Sequence, residues 1–294
     1  MRAAARQSVR SAAVPRPPNP THCDPHCNPN PNRRYLRDAQ EPPYFIIPRI
    51  QRIAKQCLEG LAYVHSLNLI HCDLKPENIL IKSFSRCEIK VIDFGSTCFT
   101  TDHLTSYVQS RSYRAPEVIL GCPYGQKIDI WSLGCILSEL LTGDVLFENM
   151  SIQSLLARVQ AFIGPFPKEM LQGALHTDKY FSADMATIFE TDEETGETKY
   201  HQLEASNLGE QMKTDDTEFV EFVNSLLTID QDERPTAEEC LQHPWFQKEY
   251  EMPVAEAAPA TGGGTTPATP GVVEKHDPPP QEDVAPVGEV EPLD

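Results

Sequence analysis

The sequence predicts an α+β fold that is mainly helical, and three observations support this prediction. Residues 128–141 are apolar on nearly every side, which is typical of a helix buried all round. Residues 48–65 place apolar side chains at three-and-four spacing, which indicates an amphipathic helix. Two short aliphatic runs, 79–81 and 89–92, predict a pair of strands. We therefore expect a helical body that carries a small β-hairpin.

Two segments that are too polar to form a hydrophobic core flank this body. Residues 1–43 are rich in Arg, Pro, Asn and Ala and lack apolar periodicity, and residues 251–294 are rich in glycine, proline and acids. Segments of such composition cannot bury enough apolar surface to fold. We expect a disordered leader, a folded domain over residues 44–250 and a disordered acidic tail.

The net charge of the chain is −18, and the body between leader and tail carries most of it. A body this acidic repels nucleic acid and favours basic protein substrates. The alternative is a solvated acidic face around residues 184–221. No run of eighteen apolar residues is present, so no contact with a membrane is expected. Nine scattered cysteines favour free thiols in a reducing compartment, which predicts a cytoplasmic or nuclear protein.

The leader contains two further patterns. Residues 1–11 contain Arg and Ser without an acid, as organellar transit peptides do, although any low-complexity leader can share this composition. Residues 22–27 read His-Cys-Asp-Pro-His-Cys, which suggests a zinc site. Because no second ligand pair follows at finger spacing and prolines surround the segment, a disordered segment is the favoured interpretation.

The main functional signal is His-Cys-Asp-Leu-Lys-Pro-Glu-Asn at residues 71–78, followed by Asp-Phe-Gly at residues 93–95. This pair of motifs resembles the protein-kinase pattern, with Cys in place of the Arg of His-Arg-Asp. Phosphoryl transfer needs one carboxylate to accept the substrate hydroxyl's proton and further oxygen ligands to hold magnesium. The pattern assigns the first role to Asp73 and the second to Asn78 and Asp93. The two predicted strands would hold these groups side by side.

Ala-Pro-Glu at residues 115–117 closes the activation segment in the same pattern, and Tyr107 is the candidate phosphorylation site before it. Arg111 and Arg114 lie four and seven residues after this tyrosine. A phosphate on Tyr107 would draw both guanidinium groups into charge-assisted pairs and so order the segment. The alternative is that all three are ordinary exposed residues.

Together these motifs identify the chain, from about residue 43 to 250, as similar to the large lobe of the dual-specificity tyrosine-regulated kinases, within the CMGC group of eukaryotic protein kinases. The resemblance rests on residues 71–78, 107–117, 128–134 and Arg234. Cysteine before the catalytic Asp, with a tyrosine shortly before Gln-Ser-Arg, separates this family from cyclin-dependent and mitogen-activated kinases. Homeodomain-interacting kinases share much of the pattern and are the alternative relatives.

The resemblance implies a kinase that uses ATP and Mg²⁺, phosphorylates its own Tyr107 during maturation and then acts on Ser and Thr of proteins. It implies that Asp73 is the catalytic base and that Lys75 contacts the transferred phosphate. It also implies that Glu77 binds a basic residue upstream of the target. The structural pairs that it implies are His71 with Asp129 and Glu117 with Arg234.

The strand-rich small lobe of a kinase is missing from the pattern. The first glycine is Gly60, so no glycine-rich phosphate loop precedes the catalytic loop, and no Val-Ala-Ile-Lys strand is present. The loss of one preorganised electrostatic donor costs roughly a hundred- to thousandfold in rate. We expect a truncated kinase of low or no activity. The alternative is a non-catalytic scaffold that binds substrates.

Overall fold

The structure, a computed structural model, describes residues 43–251 except 103–107, 149, 193 and 202. All of these residues belong to one compact unit. The leader before residue 43, the candidate zinc segment, Tyr107 and the tail after residue 251 lie outside the described residues. No helix in the described part of the chain is long and apolar enough to cross a membrane.

Helices make up most of the described body. They are α1 (Ile47–Ser66), α2 (Pro116–Leu120), α3 (Lys127–Thr142), α4 (Ile152–Phe162), α5 (Lys168–Gly173), α6 (Thr177–Tyr180), α7 (Leu208–Met212), α8 (Thr217–Leu226) and α9 (Ala237–Cys240). Short 3-10 helices lie at Pro76–Asn78, Phe94–Ser96, Arg111–Tyr113 and Pro244–Gln247. The strands are β1 (Leu69–Ile70), β2 (Ile79–Ser83), β3 (Glu88–Val91), β4 (Cys98–Phe99), β5 (Ile188–Thr191) and β6 (Thr198–His201).

Helix α3 is the centre of the core, as its apolar sequence predicts. Every residue from Ile128 to Glu139 is buried, and the helix packs against α1 and α8. Gly143 ends it with a φ of 83°, a left-handed conformation that costs glycine little. Gly134 lets α8 approach closely, because a Cβ there would lie 2.8 Å from Leu227 Cδ2. Helix α1 confirms the predicted amphipathic helix and begins one residue before Pro48.

The strands form three separate two-stranded antiparallel sheets, β1 with β4, β2 with β3 and β5 with β6. The β2–β3 hairpin confirms the predicted strand pair, although the predicted strand residue Ile92 lies just beyond the end of β3. The β1–β4 pair places Ile70 opposite Cys98. This pairing returns the chain after Asp-Phe-Gly to the start of the loop at residues 71–75.

Candidate active site

The β2–β3 hairpin brings the two acidic motifs together. Asn78 directly precedes β2, and Asp93 lies two residues after the end of β3. Ile79 pairs with Val91, and the Ile92 N–H donates a hydrogen bond to the Asn78 carbonyl oxygen at 2.9 Å. The hairpin therefore places Asn78 and Asp93 at the same end of the sheet.

The Asp73 carboxylate accepts a hydrogen bond on each of its oxygens. Lys75 Nζ lies 2.6 Å from Oδ2, and Ser110 Oγ lies 2.8 Å from Oδ1. Asn78 Nδ2 donates to the Asp73 carbonyl oxygen at 2.7 Å. The carboxylate is thus held in one orientation by a cation and a hydroxyl, and it is partly exposed. A carboxylate held in this way can accept a proton from a hydroxyl that comes within about 3 Å of it.

The sequence interpretation gave Ser110 no role, although this residue closes the cluster around Asp73. Its hydroxyl donates to Asp73 and lies 3.4 Å from Lys75 Nζ. The two residues are 37 positions apart, so no local spacing links them. The signal that could have identified Ser110 is its place in the motif of residues 107–117.

The oxygen atoms of Asn78 and Asp93 fit a hard divalent cation. The Asn78 amide nitrogen donates to the Asp73 carbonyl oxygen, so the oxygen is the amide's remaining polar atom. Asp93 has a φ of 65°, and its Oδ1 accepts from the Gly95 N–H at 3.3 Å. A Cβ on Gly95 would lie 3.1 Å from this oxygen, so glycine leaves room for the carboxylate.

The His71 ring, at the start of the first motif, connects this motif to the second. Its Nε2 is 3.1 Å from the Ile92 carbonyl oxygen, and its Nδ1 is 3.3 Å from the Asp73 N–H. The tautomer with the proton on Nε2 satisfies both hydrogen bonds. The Phe94 ring packs edge-on against the imidazole at 5.0 Å between centroids. These contacts connect the loop residue Asp73 to the start of the activation segment.

Asp129 contacts His71, the pair that the resemblance implied, through a backbone group. Its carboxylate accepts from the backbone N–H groups of His71 and Cys72, at 2.8 and 3.1 Å. The imidazole that contacts it is that of His65, at 3.0 Å, and not that of His71. A fully buried carboxylate needs such partners. The sequence interpretation missed His65 because it assigned this helix to core packing alone.

Cys72, which stands where most kinases have Arg, is buried and has a φ of 66°. Its Sγ lies 3.4 Å from Cys98 Sγ. Burial, followed by the negative charge of Asp129, raises the pKa of the Cys72 thiol far above its ordinary value. This position therefore carries no charge next to Asp73.

Gln109 is a second contributor that the sequence interpretation missed. Its side chain donates to the Ile128 carbonyl oxygen and Ser132 Oγ, at 2.9 and 2.8 Å, and accepts from the Ala115 N–H at 2.9 Å. Its backbone N–H donates to the Cys72 carbonyl oxygen at 2.9 Å. One buried residue thus fixes the end of the activation segment to both the loop and helix α3.

The remaining predicted residues of the activation segment are only partly described. Arg114 donates to the carbonyl oxygens of Val108 and Gln109, each at 2.8 Å. Arg111 is exposed. Tyr107 lies outside the described residues, so its predicted pairing with these arginines stays a prediction. Glu77, the predicted reader of basic residues, is exposed beside the loop.

Glu117 and Arg234 form a fully buried ion pair with two hydrogen bonds. Arg234 Nη1 lies 2.7 Å from Glu117 Oε1, and Nη2 lies 3.0 Å from Oε2. The guanidinium also donates to the Thr228 carbonyl oxygen and lies 5.1 Å from the Trp131 ring. This pair anchors the end of the activation segment to the core.

The family model of the protein kinase domain matches residues 32–246. A probable serine/threonine-protein kinase dyrk2 of Dictyostelium discoideum is 38% identical over 212 residues, 72% of this chain and 22% of that protein. Human (Homo sapiens) dual specificity tyrosine-phosphorylation-regulated kinase 3 is 37% identical over 233 residues, 74% of this chain and 40% of that protein. A putative homolog of kinase 3 from Drosophila melanogaster is 34% identical over 232 residues, 74% of this chain and 28% of that protein. The chain spans less than half the length of these relatives.

Proposed function

The chain belongs to the protein kinase family, within the dual-specificity tyrosine-regulated kinases of the CMGC group, and from this premise we propose that it phosphorylates Ser and Thr of protein substrates. The observation that carries the proposal is the Asp73 cluster. The Asp73 carboxylate is held between Lys75 and Ser110, Asn78 contacts Asp73, and the β2–β3 hairpin places Asp93 at the same end of the sheet as Asn78. Phosphoryl transfer requires this combination.

Each residue of the cluster has a distinct task in this proposal. ATP, when bound with Mg²⁺, supplies the phosphoryl group and the neutralising charge. Asp73 accepts the hydrogen bond of the substrate hydroxyl and takes up its proton. Lys75, which lies beside Asp73, would contact the transferred phosphate, and Asn78 and Asp93 would supply oxygen ligands for the cation. The substrate hydroxyl has to displace or share the hydrogen bond that Ser110 makes to Asp73.

Two finer parts of the proposal concern regulation and substrate choice. Autophosphorylation of Tyr107 would supply a phosphate for Arg111 and Arg114; Arg111 is exposed and has no acidic partner among the described residues. The exposed Glu77 favours substrates with a basic residue near the target. A Tyr107→Phe substitution is expected to lower activity, and unchanged activity would exclude a role for its phosphate.

We propose that the 294-residue chain alone is a slow kinase, because its sequence lacks a glycine-rich loop before Gly60 and a Val-Ala-Ile-Lys strand. The alternative is a scaffold that binds substrates without catalysis. Titration with Mg-ATP distinguishes the two, with Asp93→Asn beside the wild type and Asp215→Asn as a control at an exposed aspartate. Saturable binding that only Asp93→Asn weakens supports the kinase. No binding up to millimolar ATP supports the scaffold.

A further inference from the structure

A cavity of about 360 Å³ lies where the end of α1 meets the start of α3. Its walls are formed by the last two residues of α1, by residues within 125–130 and by residues within 231–238 at the start of α9. None of the residues proposed to bind ATP, Mg²⁺ or the substrate hydroxyl lines it. The cavity is therefore separate from the proposed active site.

One buried side chain connects this cavity to the catalytic loop. His65 lines the cavity, and its side chain is only 6% exposed. Its Nε2 lies 3.0 Å from Oδ2 of Asp129, the carboxylate that accepts the backbone N–H groups of His71 and Cys72. Because a carboxylate accepts hydrogen bonds, Nε2 carries the proton and Nδ1 keeps a free lone pair. This Nδ1 has no hydrogen-bond partner among the described residues.

Most hydrogen-bond donors that line the cavity are already engaged by backbone carbonyl oxygens. The side-chain amide nitrogens of Gln126 and Gln231 donate to such oxygens at 2.6 and 2.8 Å. Lys127 Nζ donates to the Asp232 carbonyl oxygen at 2.9 Å, and the Ser66 hydroxyl donates to a carbonyl oxygen within α1 at 2.7 Å. The cavity therefore has few donors left for a ligand.

The acceptors that line the cavity are unused. Since their nitrogens are engaged, Gln126 and Gln231 each present an amide oxygen, and neither oxygen has a partner in the described part of the chain. The carboxylates of Asp232 and Glu238 also form no hydrogen bond or ion pair with the residues that the structure describes. These two carboxylates outweigh the one cation in the lining, Lys127.

Unused acceptors and an excess of negative charge favour a cation that carries several N–H donors. Among the described residues, no group of three or more His, Cys, Asp or Glu is placed to hold a metal ion, which favours an organic cation. We propose that this cavity binds a guanidinium or primary ammonium group. The ligand donates to His65 Nδ1 and to the amide oxygens, and its charge lies close to Asp232 and Glu238.

The bound cation also acts on the catalytic loop through His65. A ligand that donates to Nδ1 keeps the imidazole proton on Nε2 and so preserves the hydrogen bond to Asp129. Asp129 in turn holds the backbone N–H groups of His71 and Cys72, next to Asp73. The loop is therefore held more firmly when the cavity is occupied.

Binding of small cations to the full 294-residue chain tests the site. The probes are butylguanidine and butylamine, and butylurea is a neutral control with the shape of butylguanidine. We expect butylguanidine to bind at least about fivefold more tightly than butylurea, the effect of an exposed ion pair. Equal binding of the two would overturn the proposal.

A free cation and the arginine side chain of a protein share this chemistry. A peptide with one arginine in an alanine background separates these two sources when it competes with butylguanidine. Tighter binding of the peptide supports an arginine side chain as the ligand, and tighter binding of butylguanidine supports a free cation. Failure of both to bind would exclude the site.

Two substitutions assign the binding to this cavity. Asp232→Asn combined with Glu238→Gln should weaken the binding of butylguanidine by about fivefold or more. Glu233→Gln, at an exposed neighbour outside the lining, should leave it unchanged. Both acids of the lining are exposed, so the double variant is expected to fold. Equal affinities of the double variant and the control would place the cation elsewhere and refute the site.

Hydrogen exchange tests the link to the catalytic loop without any measurement of catalysis. Butylguanidine at ten times its Kd should slow exchange of the His71 and Cys72 N–H groups about tenfold, because opening that releases the ligand becomes less favourable in that proportion. The Ala115 N–H, which donates to Gln109, is the internal control and should change less. Binding that slows all three amides equally, or none of them, would contradict the role of His65.

Discussion

Ser110 donates a hydrogen bond from its hydroxyl to Asp73 Oδ1 at 2.8 Å and so joins the end of the activation segment to the catalytic loop. Lys75 Nζ holds the other carboxylate oxygen at 2.6 Å. The orientation of the proposed base therefore depends on a residue 37 positions away. The conformation of the activation segment is coupled to the catalytic group through this contact.

Replacement of Ser110 tests that coupling. Ser110→Ala removes the side chain that donates to Asp73 Oδ1, and we expect kcat/KM for a Ser-containing peptide to fall about tenfold, the effect of one hydrogen bond to a charged group. Ser110→Thr keeps the hydroxyl and should retain most of the activity. Full activity in the alanine variant would show that Lys75 and Asn78 are sufficient to orient Asp73.

Gln109 should control the local stability of the activation segment. Gln109→Ala removes the acceptor of the buried Ala115 N–H, which costs about 1–3 kcal/mol. Hydrogen exchange at Ala115 should accelerate by about tenfold or more. The control is Gln231→Ala, because this half-buried glutamine donates to the Pro123 carbonyl oxygen, far from Ala115 in the sequence. Equal exchange at Ala115 in the wild type and Gln109→Ala would contradict the assigned contact.

The buried ion pair should be sensitive to the loss of one partner. Glu117→Gln leaves the Arg234 charge buried without its carboxylate, and we expect a loss of about 3–5 kcal/mol in the free energy of unfolding. Urea denaturation measures this quantity. A double variant, Glu117→Leu with Arg234→Met, should recover much of the loss because it removes both charges. A single variant as stable as the wild type would contradict this account.

Alanine substitution at two helical glycines should change the stability of the protein in opposite directions. A Cβ at Gly134 would meet Leu227 Cδ2 at 2.8 Å, so Gly134→Ala should destabilise the protein by about 1–3 kcal/mol. A Cβ at Gly60 meets nothing within 4 Å, so Gly60→Ala should stabilise α1 by up to about 1 kcal/mol. Thermal unfolding of the two variants checks the contrast. Changes of the same sign would show that packing does not decide the outcome.

Asp216 should contribute a stability that depends on pH. Burial raises the pKa of Asp216, but hydrogen bonds from the Phe219 N–H, Tyr250 and Lys248 outweigh it, so the pKa lies below the ordinary value of 3.8. The stabilisation is therefore fully present above pH 3.8 and is lost as pH falls through the lowered pKa. Asp216→Ala should lose about 1 kcal/mol at pH 7, including its helix cap, and less in acid. Asp215→Asn, at an exposed neighbour, should show no such pH dependence.

The sequence indicates which site residues lie close together only where short spacing links them. Asp73 and Lys75 lie two positions apart, and the hairpin that joins Asn78 to Asp93 follows from two adjacent aliphatic runs. The contribution of Ser110 could not be predicted in this way, because tertiary folding alone brings it to Asp73.

Tertiary folding also explains two other contacts that the sequence did not predict. The resemblance paired His71 with Asp129; the structure makes this contact through the His71 backbone N–H and adds the Cys72 N–H and the His65 ring as further partners. A sequence motif identifies which residues matter but not which of their atoms make contact. Gln109 was missed because its partners, Ile128, Ser132 and Ala115, converge only in the folded chain.

Transfer of the γ-phosphate from labelled ATP to a Ser-containing peptide tests the central claim most directly. The measurement compares the 294-residue chain with Asp73→Asn, and Asp215→Asn is the control. We predict slow transfer by the wild type and the control, and a rate at least about a hundredfold lower for Asp73→Asn, as expected when a general base is removed. Transfer by the wild type no faster than by Asp73→Asn would contradict the assignment of Asp73 as the catalytic base.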